Sequence, residues 1–291
     1  MFFAFLFTTK SQTTVVLNAV KDNTIFQEST GNSNGIGEHF FSGNNANSSA
    51  RRALIKFDIA SQVPAGASIT SVILTLFCNN ATLGTNNVNI RPLLADWGEA
   101  NSDAVGSEGI GIAAATNDAT WVSRFHLASL WTAPGGDFTA TASATTSIGA
   151  ASVSYSWASA QAIADVQNWL NNAATNFGWV LIGNETIPQS AKRFASRENP
   201  TLAQRPQLSV TYNIAVPVVY TFTGSGNWNT AANWSNSAIP PASLPSAAEI
   251  IIDPAINGEC VLNVPQTILA GGKITVIANK KFRINGNLTI R

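Results

Sequence analysis

Apolar and polar residues alternate over short runs along most of the chain, and clusters of Gly, Asn and Pro separate the runs. A period of two is typical of half-buried β-strands. The pattern predicts strands at residues 13–20, 39–43, 53–58, 69–77, 88–94, 152–157, 178–183 and 207–212. Beyond residue 220 it predicts strands at 249–252, 259–264 and 273–277, and an alternating segment 282–290 around an Asn-Gly turn.

One segment has helical spacing instead. Ile163, Val166, Trp169 and Leu170 recur at intervals of three and four, and Ser159 is placed to cap the first turn. Many short strands with one covering helix favour an all-β fold. We expect a jelly-roll-like antiparallel β-sandwich with one short helix, plus a second small β domain.

The strand pattern is interrupted at Pro217, which indicates a domain boundary. We predict an apolar segment at residues 1–12, a sandwich at 13–213, a linker at 214–219 and a small β domain at 220–291. The opening run Met1–Phe7 fits the remnant of a secretion signal or a retained structural segment. No later run approaches the ~18 apolar residues of a membrane span, so the prediction is a secreted or cell-surface protein.

The amino-acid composition restricts the classes of binding partner that the chain can have. Charged residues make up only 11% of the chain, and the formal net charge is zero. The chain therefore has no net positive electrostatic potential that would attract nucleic acid. Asn, Ser and Thr supply the surface polarity, which suits strands and turns. Cys78 and Cys260 form no CxxC pair, and each is predicted to be a buried thiol or half of a bridge.

A series of short pieces resembles the bacterial DNRLRE (disaggregatase-related) domain over about 190 residues. The pieces run in order from Lys21-Asp-Asn-Thr-Ile25 and Arg51-Arg-Ala-Leu-Ile-Lys-Phe-Asp58 through Asp96-Trp-Gly-Glu99, Asp165-Val-Gln-Asn-Trp-Leu170 and Phe194-Ala-Ser-Arg-Glu198 to Arg205-Pro-Gln-Leu208. The resemblance implies a secreted β-sandwich related to carbohydrate-binding modules, some of which bind acidic polysaccharides such as alginate.

The tail has a resemblance of its own. Gly226-Asn-Trp228 and Asn233-Trp-Ser235 look like the Gly-x-Trp…Asn-Trp-Ser element of secreted bacterial surface proteins. In those modules the element often begins a solenoid of stacked strands. The sequence that follows the element here is long enough for only two or three coils, fewer than in a full solenoid.

Catalytic patterns are weak. His39 and His126 have no accompanying nucleophile motif. The acidic residues could pair for glycoside hydrolysis, but a structural role is favoured, with Glu198 paired to Arg197. We therefore predict a protein that is not an enzyme. A structural calcium ion is a candidate cofactor, since loop carboxylates and carbonyls suit it; the candidate ligands are Asp22, Glu28 and Asp137.

Glycan contacts are predicted from aromatic and cationic residues. Trp97, Trp121 and Trp131 lie in irregular sequence, where they either anchor loops or stack on sugars. For an acidic glycan the partners are cations, since a guanidinium grips a carboxylate in a bidentate manner; the same cations could instead pair with the protein's own carboxylates. The candidates are Arg51, Arg52, Lys192, Arg193 and Arg197.

Two functions follow from these features. The first is a non-catalytic extracellular module that binds polysaccharide in adhesion. The alternative is a structural subunit of an extracellular filament or surface layer, assembled from copies of itself by β-strand addition. The residues predicted for assembly are the apolar ones at both ends of the sequence: Phe2, Phe3, Phe5, Leu6, Phe7, Leu288 and Ile290.

Overall fold

The computed structural model describes residues 10–82, 84–215 and 218–291. It divides into two compact units, one formed by residues 12–214 and one that holds residues 215–291. Most of the predicted segment 1–12, with Phe2, Phe3, Phe5, Leu6 and Phe7, lies outside the described residues, as do positions 216 and 217 of the predicted linker.

The first unit consists mainly of antiparallel strands. They are β1 (Lys10–Phe26), β2 (Asn32–Ser33), β3 (His39–Asn44), β4 (Ala50–Phe57), β5 (Ser68–Ala81), β6 (Asn86–Pro92), β7 (Ile112–Ala113), β8 (Ser123–Phe125), β9 (Ser129–Leu130), β10 (Ala144–Ile148), β11 (Val153–Trp157), β12 (Trp179–Ile182), β13 (Lys192–Ala195) and β14 (Gln207–Ala215). Short 3-10 turns occupy Ala173–Thr175 and Leu202–Gln204.

Two sheets face each other across the main core. One contains β14, β5, β13 and β11, and the other contains β4, β12, β6 and β10. Strands β1 and β3 belong to both sheets, because β1 pairs with β14 and β4, and β3 pairs with β13 and β4. Strand β3 passes from one sheet to the other at Gly43. The φ of Gly43 is +115°, and a Cβ on this residue would lie 3.0 Å from Ala191 Cα. A side chain would be strained there.

The predicted helix is confirmed as α1 (Ala160–Asn171), with the Ser159 side chain accepting a hydrogen bond from Ala162 N. Its buried face includes Val166, Leu170 and Trp169, whose ring lies edge-on to Trp179 with centroids 4.6 Å apart. The prediction of an all-β fold with one short helix is thus confirmed. In the described residues no helix is long and apolar enough to cross a membrane.

A second core lies on the outer face of the β4–β12 sheet. The long irregular stretch after β6 folds over this face and buries Trp97, Trp121 and Trp131 against Leu54 and Val180. Strand β1 is therefore covered on both faces after Lys21, and residues 22–26 are all buried.

The second unit is a stack of parallel strands. They are β15 (Val218–Phe222), β16 (Gly226–Asn227), β17 (Ser243–Leu244), β18 (Ala248–Ile252), β19 (Glu259–Leu262), β20 (Gln266–Ile268), β21 (Lys273–Val276), β22 (Lys281–Ile284) and β23 (Leu288–Ile290). Successive triplets stack in register, giving three sheets of three strands and therefore a three-faced parallel β-solenoid of three coils. Short 3-10 turns occupy Ala231–Asn233 and Ser235–Ser237.

The solenoid core contains the tryptophans of the Gly-x-Trp…Asn-Trp-Ser element. Trp234 lies edge-on to both Trp228 and Phe222, with ring centroids 4.7 and 5.2 Å away. It also forms an isolated bridge with Phe222, which covers the free side of β15. The aromatic element thus closes the first coil.

The interpretation of residues 282–290 as alternation around an Asn-Gly hairpin turn was wrong. Strands β22 and β23 do not pair with each other but stack in parallel on β19 and β20. Asn285-Gly286 forms a solenoid corner, and a Cβ on Gly286 would lie 2.5 Å from the carbonyl oxygen of Val264 in the coil beneath. Glycine is required there by the close stacking of two corners, not by a hairpin.

Both cysteines are free and buried, so the bridge alternative is wrong for a bond within the chain. Burial raises the pKa of the Cys260 thiol to about 12. The two residues act as small apolar side chains in separate cores.

Candidate functional site

A set of adjacent depressions follows the outer face of β1. Residues Leu17 and Ala19 point into the core, so Val16, Asn18 and Val20 point outward and form the floor. Depressions of about 370, 280 and 240 Å³ adjoin this floor; the first shares Val20 and Asp58 with the second and Asn18 with the third. We call this region the β1 surface; besides the floor it is lined by Lys56, Asp58, Ala60, Ser61, Gln62, Ala173, Asn176, Arg197, Leu202, Arg205 and Pro206.

The β1 surface combines apolar and polar groups. Val16 and Val20 are 58% and 44% exposed, which is high for strand valines. Charged groups of both signs flank them: Arg197 and Arg205 line one depression, Lys56 lines another, and Asp58 lines two. Burial lowers the pKa of Lys56. Small apolar faces surrounded by a few charged groups are the usual makeup of a ligand site.

Three carboxylates meet beside one of these depressions. Asp22 of β1, Glu99 of the irregular stretch and Glu198 after β13 each bring an oxygen within 4.8 Å of the other two. Arg197 donates to both oxygens of Glu99 at 2.9 Å and lies 2.8 Å from Glu198 Oε1. The predicted pairing of Glu198 with Arg197 is therefore confirmed. We call Asp22, Glu99 and Glu198 the carboxylate cluster.

Backbone contacts fix the carboxylate cluster. The amide of Asp22 donates to Glu99 Oε1, and the amide of Arg197 donates to Asp22 Oδ2, both at 2.7 Å. Burial raises the pKa of all three carboxyls, that of Glu198 to about 7. The repulsion of Glu198 adds to the effect on Asp22. The charged cluster is therefore under electrostatic stress that one arginine only partly relieves.

The other predicted cations are occupied by partners within the protein. Arg51 pairs with Glu28 at 2.6 Å, and Arg52 pairs with both oxygens of Glu185. Lys192 is buried and donates to two backbone carbonyls, and Arg193 donates to the Asn79 side chain. The structure therefore places only Arg197 of the five predicted cations on the β1 surface.

The predicted aromatic platform has no exposed ring. Trp97, Trp121 and Trp131 are 0%, 7% and 5% exposed and lie in the second core. The indole N–H of Trp97 donates to Phe177 O, and that of Trp131 donates to Thr120 O. Arg52 lies over the ring of Trp121. This geometry fits loop anchoring rather than stacking on sugars. All eight tryptophans of the chain are buried.

The calcium candidates do not meet. Glu28 pairs with Arg51 and accepts from Asn45, and Asp137 accepts from the amides of Thr132 and Ala133. Of the three candidates, only Asp22 joins a group of three potential ligand residues, and its partners are Glu99 and Glu198, which no metal-binding motif marks in the sequence. All three belong to pieces that carry the DNRLRE resemblance, and that was the available signal.

The histidines show no catalytic arrangement within the described residues. His39 Nδ1 lies 3.1 Å from Glu108 Oε1, and the other oxygen of Glu108 accepts from the His39 amide and from Asn34. His126 lines a separate depression of about 420 Å³ with Leu127 and Leu130. Glu108 therefore holds His39 in the local loop structure.

The assembly residues that can be placed lie on the last coil. Leu288 and Ile290 belong to β23, which pairs on one side only in the described structure, and Ile290 is 67% exposed.

No protein-family model and no curated protein matches this chain. The DNRLRE resemblance therefore stays a prediction that rests on its ordered pieces of sequence.

Proposed function

We propose that this chain is a non-catalytic extracellular binding module and that it holds an acidic polysaccharide along the β1 surface. The single observation that carries the proposal is the run of adjoining depressions on one strand face, flanked by Lys56, Arg197 and Arg205. A linear chain needs an extended site rather than an enclosed cavity. The DNRLRE resemblance is a second, independent support for this ligand class.

The contacts of such a complex follow from the residues. The exposed methyl groups of Val16 and Val20 would lie against the C–H faces of sugar rings, in place of an aromatic ring. The amides of Asn18 and Gln62 can both donate and accept hydrogen bonds with hydroxyls. Arg205 forms no ion pair among the described residues and would bind a uronate carboxylate, whereas Arg197 and Lys56 already face Glu99, Glu198 and Asp96 and would add attraction at longer range. These charge interactions should weaken as salt rises, because exposed charges are screened over ~8–10 Å.

The test is a binding titration with soluble alginate on the wild type and two matched variants. Val16→Glu places a longer, anionic side chain on the floor of the site, so we expect affinity to fall at least about tenfold, a loss of ~1.4 kcal/mol. Val153→Glu makes the same change at an exposed valine of β11 and should bind like the wild type. Equal binding by all three proteins, or no binding to any acidic polysaccharide, would refute the proposal.

A second candidate function is a filament subunit, and the last coil favours it. Strands β21, β22 and β23 each pair on one side only in the described residues. These strands carry exposed apolar side chains, among them Val276, Ile284 and Ile290. Exposed edges of this kind accept strands from other chains. The occupant proposed here is the apolar run 2–7 of a neighbouring copy, which has no charged residue.

Electron microscopy and sedimentation at high concentration test the filament. We expect the wild type to form salt-resistant filaments, because main-chain hydrogen bonds hold the joint. Ile290→Lys should abolish them, whereas Ile256→Lys, at an exposed loop position of the same unit, should not. Monomers in all three samples would eliminate this second function.

A further inference from the structure

We propose that Asp22, Glu99 and Glu198 form a calcium site that fastens β1 to two distant segments of the sandwich. The inference does not depend on polysaccharide binding. The residues of the site are far apart in the sequence. Glu99 lies 77 positions after Asp22, and Arg197, which precedes Glu198, lies 175 positions after Asp22. A cation here would join segments that the chain itself keeps far apart.

The spacing of the oxygens fits the ion. Calcium binds oxygen ligands at ~2.3–2.6 Å, so two ligands of one ion lie at most about 5 Å apart. One oxygen from each of the three carboxylates lies within 4.8 Å of the other two. The carboxylates can therefore reach one shared ion without a change of backbone.

Two oxygens of the cluster have no partner. Asp22 is 1% exposed, and its Oδ1 is buried without a hydrogen-bond donor. Glu198 Oε2 is buried and unpartnered as well. Buried carboxylate oxygens are normally satisfied, and leaving one bare is costly. Two bare oxygens in one cluster point to a ligand that supplies positive charge.

The charges of the cluster also indicate a bound cation. When all three carboxylates are ionised, they share one guanidinium, that of Arg197, which leaves an excess of two negative charges. The nearby ammonium of Lys21 binds Asp96 and the carbonyl oxygen of Trp97 instead. A divalent cation would neutralise the excess. An all-oxygen donor set favours calcium over zinc, which prefers nitrogen and sulfur.

A second acidic group in the chain serves as a comparison. Glu38, His39 and Glu108 also lie within ligand distance of one another. Glu108 Oε2 accepts from Asn34 and from the His39 amide, and Glu108 Oε1 lies 3.1 Å from His39 Nδ1. That group contains no bare buried oxygen, so its geometry is explained without an ion.

Calorimetric titration of the chelator-stripped full chain with calcium chloride tests the site. We expect one calcium ion bound per chain, and a melting temperature raised by about 5–10 °C when calcium exceeds the Kd a hundredfold. Asp22→Asn and Glu198→Gln keep the shape of the side chain but remove one charge, and both should lose this binding. Asp103→Asn, at an exposed carboxylate, should retain it.

A second measurement separates loss of binding from loss of fold. Without calcium, Glu198→Gln should melt higher than the wild type, because it removes one of three repelling carboxylates; with saturating calcium the wild type should gain and the variant should not. If calcium gives neither heat nor a melting shift, or if Asp22→Asn and Glu198→Gln still bind it like the wild type, the site is refuted.

Discussion

Replacing Trp97 by alanine should lower the free energy of unfolding by about 3–5 kcal/mol, the range seen for large buried aromatics. The ring is fully buried, its N–H donates to Phe177 O at 2.8 Å, and Lys21 lies over its face. The substitution leaves a cavity between the covering stretch and the sheet, together with an unpaired carbonyl.

Denaturant unfolding followed by circular dichroism measures this loss. Leu127→Ala is the control, because Leu127 is 79% exposed and its truncation should change stability by about 0.5 kcal/mol or less. A loss below about 1 kcal/mol for Trp97→Ala would mean that the ring lies at the surface, where it could serve a sugar after all.

The second large effect is expected at Arg197. Replacing it by methionine removes the one guanidinium that touches the carboxylate cluster and leaves the buried Asp22 facing the half-buried Glu99 and Glu198. Breaking a buried ion pair from one side costs about 3–5 kcal/mol. Because the Arg197 side chain is 34% exposed, solvent screens part of this cost, and we expect a loss of about 2–3 kcal/mol in chelator-treated protein. Calcium should restore part of it, since the ion would supply the missing positive charge.

Arg193→Met is the matched control for Arg197. It also removes a guanidinium, four positions earlier, from a side chain that donates to the neutral Asn79. We expect a loss of about 1 kcal/mol, the usual net value of such a hydrogen bond. Equal losses for the two variants would show that the cluster places no special demand on Arg197.

The elements that sequence predicted best are those with local signals. The helix α1 combines a serine cap with apolar residues at helical spacing. In the structure the serine caps the helix, and the apolar residues form its buried face. Strand β13 was missed because it begins with Lys192-Arg193, a polar pair that hides its alternation. Its lysine is buried only because backbone carbonyls at Thr82 and Gly84 meet it there.

The solenoid could be anticipated only in part. Its strands are short, and each pairs with a strand one full coil away, as Ile250 pairs with Tyr220 and Ile274. Local pattern cannot show such pairing, so Asn285-Gly286 was interpreted as a hairpin turn. The corner is instead one of a stack, in which Asn263 Nδ2 donates to Asn229 Oδ1 of the coil before.

The candidate sites depend even more on long-range folding. The carboxylate cluster is assembled from three pieces of sequence that no local rule connects. The tryptophans of the irregular stretch suggested a sugar platform because nothing in the sequence indicates that this stretch covers a second core. The β1 surface was not anticipated, because alternation identifies the outward face of a strand but not the depressions beside it.

Hydroxyl-radical footprinting with and without alginate tests the proposed binding surface most directly. The method reports the solvent exposure of side chains, and Val16, Val20 and Leu202 on the β1 surface are all exposed in the free protein. We predict that alginate protects these three from oxidation, while Leu127 and Leu130 beside the other depression and Val153 on β11 stay as reactive as before. Protection at Leu127 and Leu130 with none at Val16 and Val20 would contradict the account.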